Sequence, residues 1–279
     1  MSNPMEERAE KINKEIAEIR KQRDADFAQY KADGRIFGLV PRERITRITF
    51  PRHPQSVIDG FLALEDMTTS VSDTLDKYGI KGAVPASYLK PVIAGKKIAG
   101  PAVTIRNIPI RKTPTQGAID KDFITMATRD IYYFSEPGDV LVTDFGGNLD
   151  VSNMGGMSCT VAKSRGFAAN IVNGAPRDIP AIRALDYPVW SCGATQITGK
   201  HRMECIEMNG PITLHDCLVM PGDLMLADDS GVCIVPYDMA EQILKECREI
   251  AASEEHMSKM ITDKLPIDEL RPFFRKRYQ

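Results

Sequence analysis

The residues best suited to chemistry in this chain form two short motifs at a fixed separation. The first motif reads, in order, Gly155, Gly156, Met157 and Ser158. After twenty intervening residues, Gly156 is followed by the pair Arg177 and Asp178. Glycines let a backbone approach a ligand and direct amides at an anion. Arginine matches a carboxylate with a planar fork, and aspartate offers hard oxygen to a divalent cation. The motifs predict a pocket that holds a small α-keto acid against a metal ion.

Each motif is expected at a junction between secondary-structure elements. If a helix begins at the glycine pair, the N–H groups of Gly156, Met157 and Ser158 lie at its N-terminus, which attracts anions. Residues 167–172 form an apolar strand, 173–176 suggest a turn, and 179–185 suggest a helix. Sites in α/β sheets form at such strand ends. A tight turn without a ligand, a surface ion pair or a capping aspartate would also explain the motifs.

The remaining pattern indicates an α/β fold with layered sheets. Helices are expected at 4–33, 57–78, 118–129 and 239–264, and β-branched runs bounded by Gly and Pro predict strands at 97–105 and 138–143. Strands and helices alternate first, and strands cluster later. We therefore divide the chain into an N-terminal helical arm and connector, 1–55, and a catalytic α/β domain, 56–279, that ends in a long helix.

Composition excludes several classes of function. The 279 residues are 43% hydrophobic and 27% charged, with a net charge of −2, so neither nucleic acid nor an anionic membrane is an expected partner. No apolar run reaches the roughly 20 residues that span a bilayer. The first residues lack the apolar core of a secretion signal, so we expect a cytoplasmic protein. The six cysteines show no C-x-x-C spacing and are expected as reduced core thiols.

From about residue 67 to 264 the chain resembles the RraA-like fold family, which includes the 4-hydroxy-4-methyl-2-oxoglutarate aldolases. The resemblance rests on an ordered series of segments. They are V-S-D-T-L at 71–75, G-P-A-V-T at 100–104, G-D-V-L-V at 138–142, the glycine pair, Arg177 with Asp178, P-G-D at 221–223 and D-D-S-G-V at 228–232.

The resemblance implies a fold, an activity and roles for particular residues. The fold would be a swivelling β/β/α layered domain that assembles as a homotrimer or homohexamer, with sites between subunits. The activity would be that of a class II pyruvate aldolase that also decarboxylates oxaloacetate. Asp178 would hold Mg²⁺ or Mn²⁺, Arg177 would contact the keto acid, and amides after the glycine pair would cradle its carboxylate. Glu254 of an adjacent subunit, or alternatively Glu255, would bind a water molecule that is bound to the metal.

Two departures from the family pattern leave alternatives open. The family often has an acidic residue where this chain has Ala181, and often Asp where it has Asn173. The expected function is retro-aldol cleavage of a 4-hydroxy-2-oxo acid with release of pyruvate. The alternatives are a non-catalytic RraA-like regulatory binding protein and a metal-dependent lyase or dehydratase that acts on a sugar acid. Residues 200–202 suggest either a subsite for a distal carboxylate or a solvated loop.

Overall fold

The computed structural model describes residues 4–122 and 126–276. The α-helices are α1 (Pro4–Ala32), α2 (Gln55–Leu62), α3 (Met67–Lys77), α4 (Pro114–Ile119), α5 (Thr128–Phe134), α6 (Gly156–Ser164), α7 (Ile179–Leu185), α8 (Ala240–Thr262) and α9 (Ile267–Lys276). The strands are β1 (Ala83–Pro85), β2 (Lys90–Pro91), β3 (Ile98–Pro109), β4 (Val140–Met154), β5 (Ala169–Pro176), β6 (Val189–Ser191), β7 (Met203–Met208), β8 (Ile212–Leu214), β9 (Cys217–Val219), β10 (Leu224–Ala227) and β11 (Gly231–Val235).

Nine strands form one mixed sheet in the order β1-β11-β10-β3-β4-β5-β6-β2, and β7 pairs with the second half of β3. Strands β3 to β6 are parallel, and the helices α4 to α7 lie in the connections between them. A parallel pair needs such a crossover, which explains the alternation of elements in this part of the chain. The carboxyl ends of β4 and β5 therefore lie side by side at one edge of the sheet.

Side chains that alternate along the parallel strands supply two separate cores. Leu141 and Val172 pack with α5, α6 and α7, while Val140 and Ile171 pack against the β8–β9 hairpin on the opposite face. A third core joins α2, α3 and α8 to β10 and β11. The strands are buried on both faces, as is typical of parallel sheets. This layered α/β architecture with an N-terminal helix confirms the predicted fold class.

The second half of the N-terminal helix packs against the body. Phe27 and Tyr30 pack against the first core, whereas Ile12 and Ile16 are 44% and 39% exposed. Residues in 40–50 that were placed in a connector are part of that core. The domain boundary at 55/56 stays a prediction. Within the described residues, no helix combines the length and apolar character needed to cross a bilayer.

Two local predictions were wrong, each because tertiary packing or one residue's backbone outweighed a local pattern. The helix expected at 118–129 is two helices, α4 and α5, since Lys121 adopts a left-handed conformation with φ of 55°; residues 123–125 lie outside the described residues. The stretch 57–78 is helical, as expected, and is divided into α2 and α3. The turn expected at 173–176 is the buried end of β5, where Gly174 is extended beside the Asn153 amide.

Candidate functional site

The two motifs meet where β4 and β5 end. β4 finishes at Met154 and Gly155 caps α6, whereas β5 finishes at Pro176 and leads through Arg177 and Asp178 into α7. The backbone N–H of Arg177 donates to the Met154 carbonyl at 2.9 Å, which ties the two strand ends together. Sequence reasoning therefore placed both motifs at strand-to-helix junctions correctly, and the structure brings them into contact.

Position 155 has no room for a side chain, which explains why it is a glycine. Its φ of −151° is extended and open to any residue. An added Cβ, however, would lie 2.6 Å from Asp178 Oδ2 and 2.9 Å from Arg177 Cγ, closer than real Cβ atoms approach such groups. The close approach that the glycine pair permits is thus between the backbone of the first motif and the side chains of the second.

Asp178 turns its carboxylate toward α6 and not toward its own helix. It adopts a left-handed conformation (φ 59°, ψ 38°) at the N-cap of α7 without capping that helix. Asp178 Oδ2 accepts from the N–H of Gly156 at 3.0 Å and lies 3.4 Å from Arg177 Nε. A non-glycine residue pays for this conformation with backbone strain, which persists where the surroundings enforce it and is frequent at functional sites.

One of the three amides predicted to bind the ligand is therefore already occupied. The N–H of Gly156 bonds to Asp178, and the N–H of Cys159 bonds to the carbonyl of Gly155 at 3.1 Å. Within the described part of the chain, the N–H groups of Met157 and Ser158 have no acceptor. These two amides, at the N-terminus of a nine-residue helix, remain to bind an anion.

A cavity of about 670 Å³ opens in front of these groups. Its lining comprises Leu39, Ala118, Lys121, Asp122, Met126, Thr128, Arg129, Tyr132, Ser152, Asn153, Met154, Gly155, Met157, Ser158, Val161, Arg177, Asp178, Thr198, Lys200 and His201. Arg177 and Asp178 remain accessible, since their side chains are 42% and 45% exposed. The volume lies in the range of sites for small molecules.

A second part of the lining, here called the cationic wall, carries Lys121, Arg129 and Lys200. Lys121, Arg129 and Lys200 have no acidic partner within 4–122 and 126–276, whereas Asp122 is 2.6 Å from Lys112 Nζ. Unpaired cations around a concave surface favour anionic ligands. Lys200 and His201, which the sequence suggested for a distal subsite, do line this cavity. Lys121 and Arg129 were missed, because the expected continuous helix gave no sign that this stretch faces the site.

The floor of the cavity contains polar groups that sequence reasoning also missed. Tyr132 is fully buried, its hydroxyl lies 3.3 Å from Ser158 Oγ, and burial raises its pKa. Cys159 lies beneath the same helix end. Burial, and secondarily the charge of Asp178, raises the pKa of its thiol to about 12, so this cysteine is not a thiolate nucleophile at neutral pH.

A divalent cation fits the carboxylate that the cavity offers. Asp178 Oδ1 has no partner within the described ranges, while Oδ2 holds the side chain in place. Mg²⁺ commonly binds through one or two carboxylates and keeps several waters, and Mn²⁺ also prefers oxygen ligands. The described residues contain no cluster of three or more His, Cys, Asp or Glu. Glu254 lies in α8 and does not line the cavity of its own chain, so its role stays a prediction.

The two departures from the family pattern have different surroundings. Asn173 is buried away from the cavity lining, where its Nδ2 donates to Asp144 Oδ1 at 3.0 Å and its Oδ1 accepts from the Tyr88 hydroxyl at 2.8 Å. Ala181 lies beside the glycine pair, since a Cβ built on Gly156 would be 3.1 Å from its Cβ. Only the departure at 181 therefore adjoins the candidate site.

The fold and this site define an RraA-like protein. The family model "RraA-like: Aldolase/RraA" matches residues 68–234, more than half of the chain, and the chain belongs to this family. A protein of Halalkalibacterium halodurans named "Putative 4-hydroxy-4-methyl-2-oxoglutarate aldolase" is 30% identical over 196 residues, which cover 70% of this chain and 85% of that one. Protein DlpA of Legionella pneumophila is 28% identical over 236 residues, and the match spans 84% of this chain but only 36% of DlpA.

Solved structures support the same fold. An uncharacterised protein from Pseudomonas syringae pv. tomato is 25% identical with a TM-score of 0.66, covering 80% of this chain and all of that one. RraAS2 of Streptomyces coelicolor, described as an unusual member of the RNase ES inhibitor RraA family, has a TM-score of 0.61 at 24% identity, covering 78% and 100% of the two chains. The latter likeness concerns the fold alone.

Proposed function

We propose that this protein is a divalent-metal-dependent lyase that cleaves a 4-hydroxy-2-oxo acid by a retro-aldol reaction, releases pyruvate, and also decarboxylates oxaloacetate. The observation that carries the proposal is the contact between the two motifs. Asp178 accepts from the N–H of Gly156 and lies beside Arg177, next to the unpaired amides of Met157 and Ser158, in a cavity whose lining also includes Lys121, Arg129 and Lys200. The relative named for 4-hydroxy-4-methyl-2-oxoglutarate cleavage supports the same class of reaction.

Each group at the strand ends has a distinct role in the proposed reaction. The amides of Met157 and Ser158 bind the carboxylate of the keto acid, and the Arg177 guanidinium stabilises the negative charge that develops on the keto oxygen. Asp178 would hold Mg²⁺ or Mn²⁺ through Oδ1, with Oδ2 fixed by Gly156. When bound, the cation would supply Lewis acidity to the same keto oxygen.

The cationic wall supports a substrate with a second acidic group. Lys121, Arg129 and Lys200 line the cavity without acidic partners among the described residues, so a distal carboxylate would gain attraction there without displacing an existing ion pair. Both oxaloacetate and a dicarboxylic 4-hydroxy-2-oxo acid have this feature. As part of the proposal, the protein assembles as a homotrimer or homohexamer in which Glu254 of one copy approaches the cavity of the next.

A substrate panel tests the proposal. Purified protein would be incubated with oxaloacetate and with mono- and dicarboxylic 4-hydroxy-2-oxo acids, and released pyruvate would be measured by a coupled assay. We expect pyruvate release that needs Mg²⁺ or Mn²⁺, stops on chelation and returns on re-addition. Release that is unaffected by a chelator contradicts the metal requirement. No pyruvate from any substrate with either cation contradicts the lyase assignment and favours a regulatory binding protein or a different lyase.

A further inference from the structure

Four polar side chains form a hydrogen-bonded chain beneath the N-terminus of α6. The Tyr187 hydroxyl donates to Asn170 Oδ1 at 2.9 Å, and Asn170 Nδ2 donates to the Tyr132 hydroxyl oxygen at 2.8 Å. The Tyr132 hydroxyl lies 3.3 Å from Ser158 Oγ. Tyr187, Asn170 and Tyr132 are buried, whereas Ser158 is half-buried and lines the cavity.

The direction of this hydrogen-bonded chain is fixed by a sulfur atom. An amide oxygen and nitrogen are hard to tell apart by shape, so the orientation of Asn170 must be assigned from its partners. The Met154 thioether sulfur lies 3.2 Å from Asn170 Nδ2 and can only accept a hydrogen bond. Nδ2 therefore faces Met154 and Tyr132, which leaves Oδ1 to accept from Tyr187.

The orientation of Asn170 determines what Ser158 can do. Because the Tyr132 oxygen receives a hydrogen from Asn170, its own hydrogen points to its other partner, Ser158 Oγ. Burial raises the pKa of Tyr132, so the phenol keeps that hydrogen through neutral pH. Ser158 Oγ then accepts, and its hydroxyl hydrogen has no acceptor among the described residues.

We propose that the Ser158 hydroxyl is a hydrogen-bond donor to the substrate carboxylate and that Tyr132 is the positioning residue that holds it as a donor. The proposal rests on the proposed function and identifies a determinant of its specificity. Together with the free amides of Met157 and Ser158, this hydroxyl makes a set of three donors. A carboxylate accepts from all three, whereas a carboxamide would direct its own N–H groups at donors.

Binding of two small probes tests this assignment. Isothermal titration in the presence of Mg²⁺ would compare pyruvate with pyruvamide, which replaces the carboxylate by a carboxamide. We expect Ser158→Ala to weaken pyruvate binding about tenfold, the size expected for one hydrogen bond to a charged group. Pyruvamide binding should stay unchanged, because the Ser158 hydroxyl is not expected to donate to it. A purely structural role for Ser158 would weaken both probes alike.

The role of Tyr132 needs a second variant and a control. Tyr132→Phe should weaken pyruvate binding in the native background, but by no more than a factor of about two when Ser158 is already alanine. Tyr133→Phe is the matched control, since the neighbouring tyrosine is half-buried and has no hydroxyl partner among the described side chains. It should leave both probes unaffected. Thermal melting would verify that each variant is folded.

The outcomes separate this inference from the proposed function. Unchanged pyruvate affinity in Ser158→Ala overturns the role of the hydroxyl. Equal losses from Tyr132→Phe in both backgrounds overturn the positioning role. If the native protein binds pyruvate but releases none from any substrate, the lyase proposal fails while the donor assignment can still be measured. If it does not bind pyruvate, the donor assignment fails as well.

Discussion

The two walls of the cavity are built in opposite ways. On the wall formed by the strand ends, each charged group has a partner: Asp178 accepts from Gly156 and lies beside Arg177. On the other wall, Lys121, Arg129 and Lys200 extend from α5 and from loops without acidic partners among the residues described. The first wall is attached to buried parallel strands, and its left-handed Asp178 is held by the N–H of Gly156. The second wall also contains left-handed residues, Lys121 with φ of 55° and His201 with φ of 57°, but they are not attached to the ends of buried strands.

This difference suggests that the first wall carries out the reaction, whereas the second selects the substrate. Reacting groups need fixed positions, which packed strand ends and mutual hydrogen bonds provide. Exposed cations without fixed partners attract anions of various shapes but hold none in one geometry. We therefore expect substitutions of Arg177 and Asp178, on the strand-end wall, to lower turnover for every substrate. Substitutions on the cationic wall should instead change which substrates bind well.

The largest effect is expected for Asp178→Ala, because it removes the cation ligand and the acceptor for Gly156 together. Turnover should be abolished for oxaloacetate and for hydroxy keto acids alike. The matched control is Asp186→Ala, since Asp186 is also left-handed, lies at the other end of α7 and pairs with Lys96 at 2.7 Å away from the cavity lining. Pyruvate release by Asp178→Ala at the native rate would refute the anchoring role.

Arg177→Ala should cost about 3 kcal/mol of transition-state stabilisation, similar to loss of one oxyanion-hole donor. The reduction should appear mainly in kcat and should be similar for mono- and dicarboxylic substrates. Arg183→Ala, in the exposed part of α7, should leave kcat unchanged. If Arg177→Ala alters only KM for dicarboxylates, Arg177 acts in substrate selection as the cationic wall does. That result would contradict the proposed division between the two walls.

Glu254→Gln should reduce turnover by roughly 10-fold or more, as expected for a group that orients a metal-bound ligand. Whether it acts on a neighbouring copy can be measured by co-expressing it with Asp178→Ala under different tags. If sites are shared, random assembly of equal amounts of the two variants pairs a native Asp178 with a native Glu254 at roughly a quarter of all sites. Activity that does not rise above that of the variants alone would contradict a shared site.

Lys200→Ala should have the smallest effect and the most selective one. KM for dicarboxylic substrates should rise about tenfold, as for loss of one hydrogen bond to a charged group, while kcat and the KM of monocarboxylic substrates stay constant. Lys90→Ala, on an exposed residue of β2 outside the cavity, serves as the control. An equal rise for both substrate classes would show that Lys200 does not distinguish them.

The strand-end wall was the part of the site that the sequence predicted well. Glycines and an Arg-Asp pair after apolar runs are local signals, and parallel strands bring their ends together without further information. The glycines were expected to let the backbone approach a ligand, whereas Gly155 makes room for the side chain of Asp178. This contact depends on two segments that meet in space, which a local motif does not report. It also placed a turn at 173–176, where pairing with β4 keeps the chain extended.

Apart from Lys200 and His201, the cationic wall and the floor could not be predicted in this way. Lys121 faces the cavity because a single left-handed residue ends α4, and no periodic pattern reports such a break. Tyr132 bonds to Ser158 and Asn170 across 26 and 38 residues of chain, so its role follows only from tertiary packing. Strand β7 went unnoticed because its partner, the far half of β3, is nearly a hundred residues away.

Strand β3 has a mechanical consequence. Its first residues pair with β10, its middle with β4 and its last residues with β7, so one continuous backbone segment joins the antiparallel and parallel parts of the large sheet. Loss of β3 from either part would therefore disturb its pairing in the other. Heating should melt the body of the protein in one sharp step, with the β10–β11 hairpin and the strands that lead to the cavity losing their structure at the same temperature.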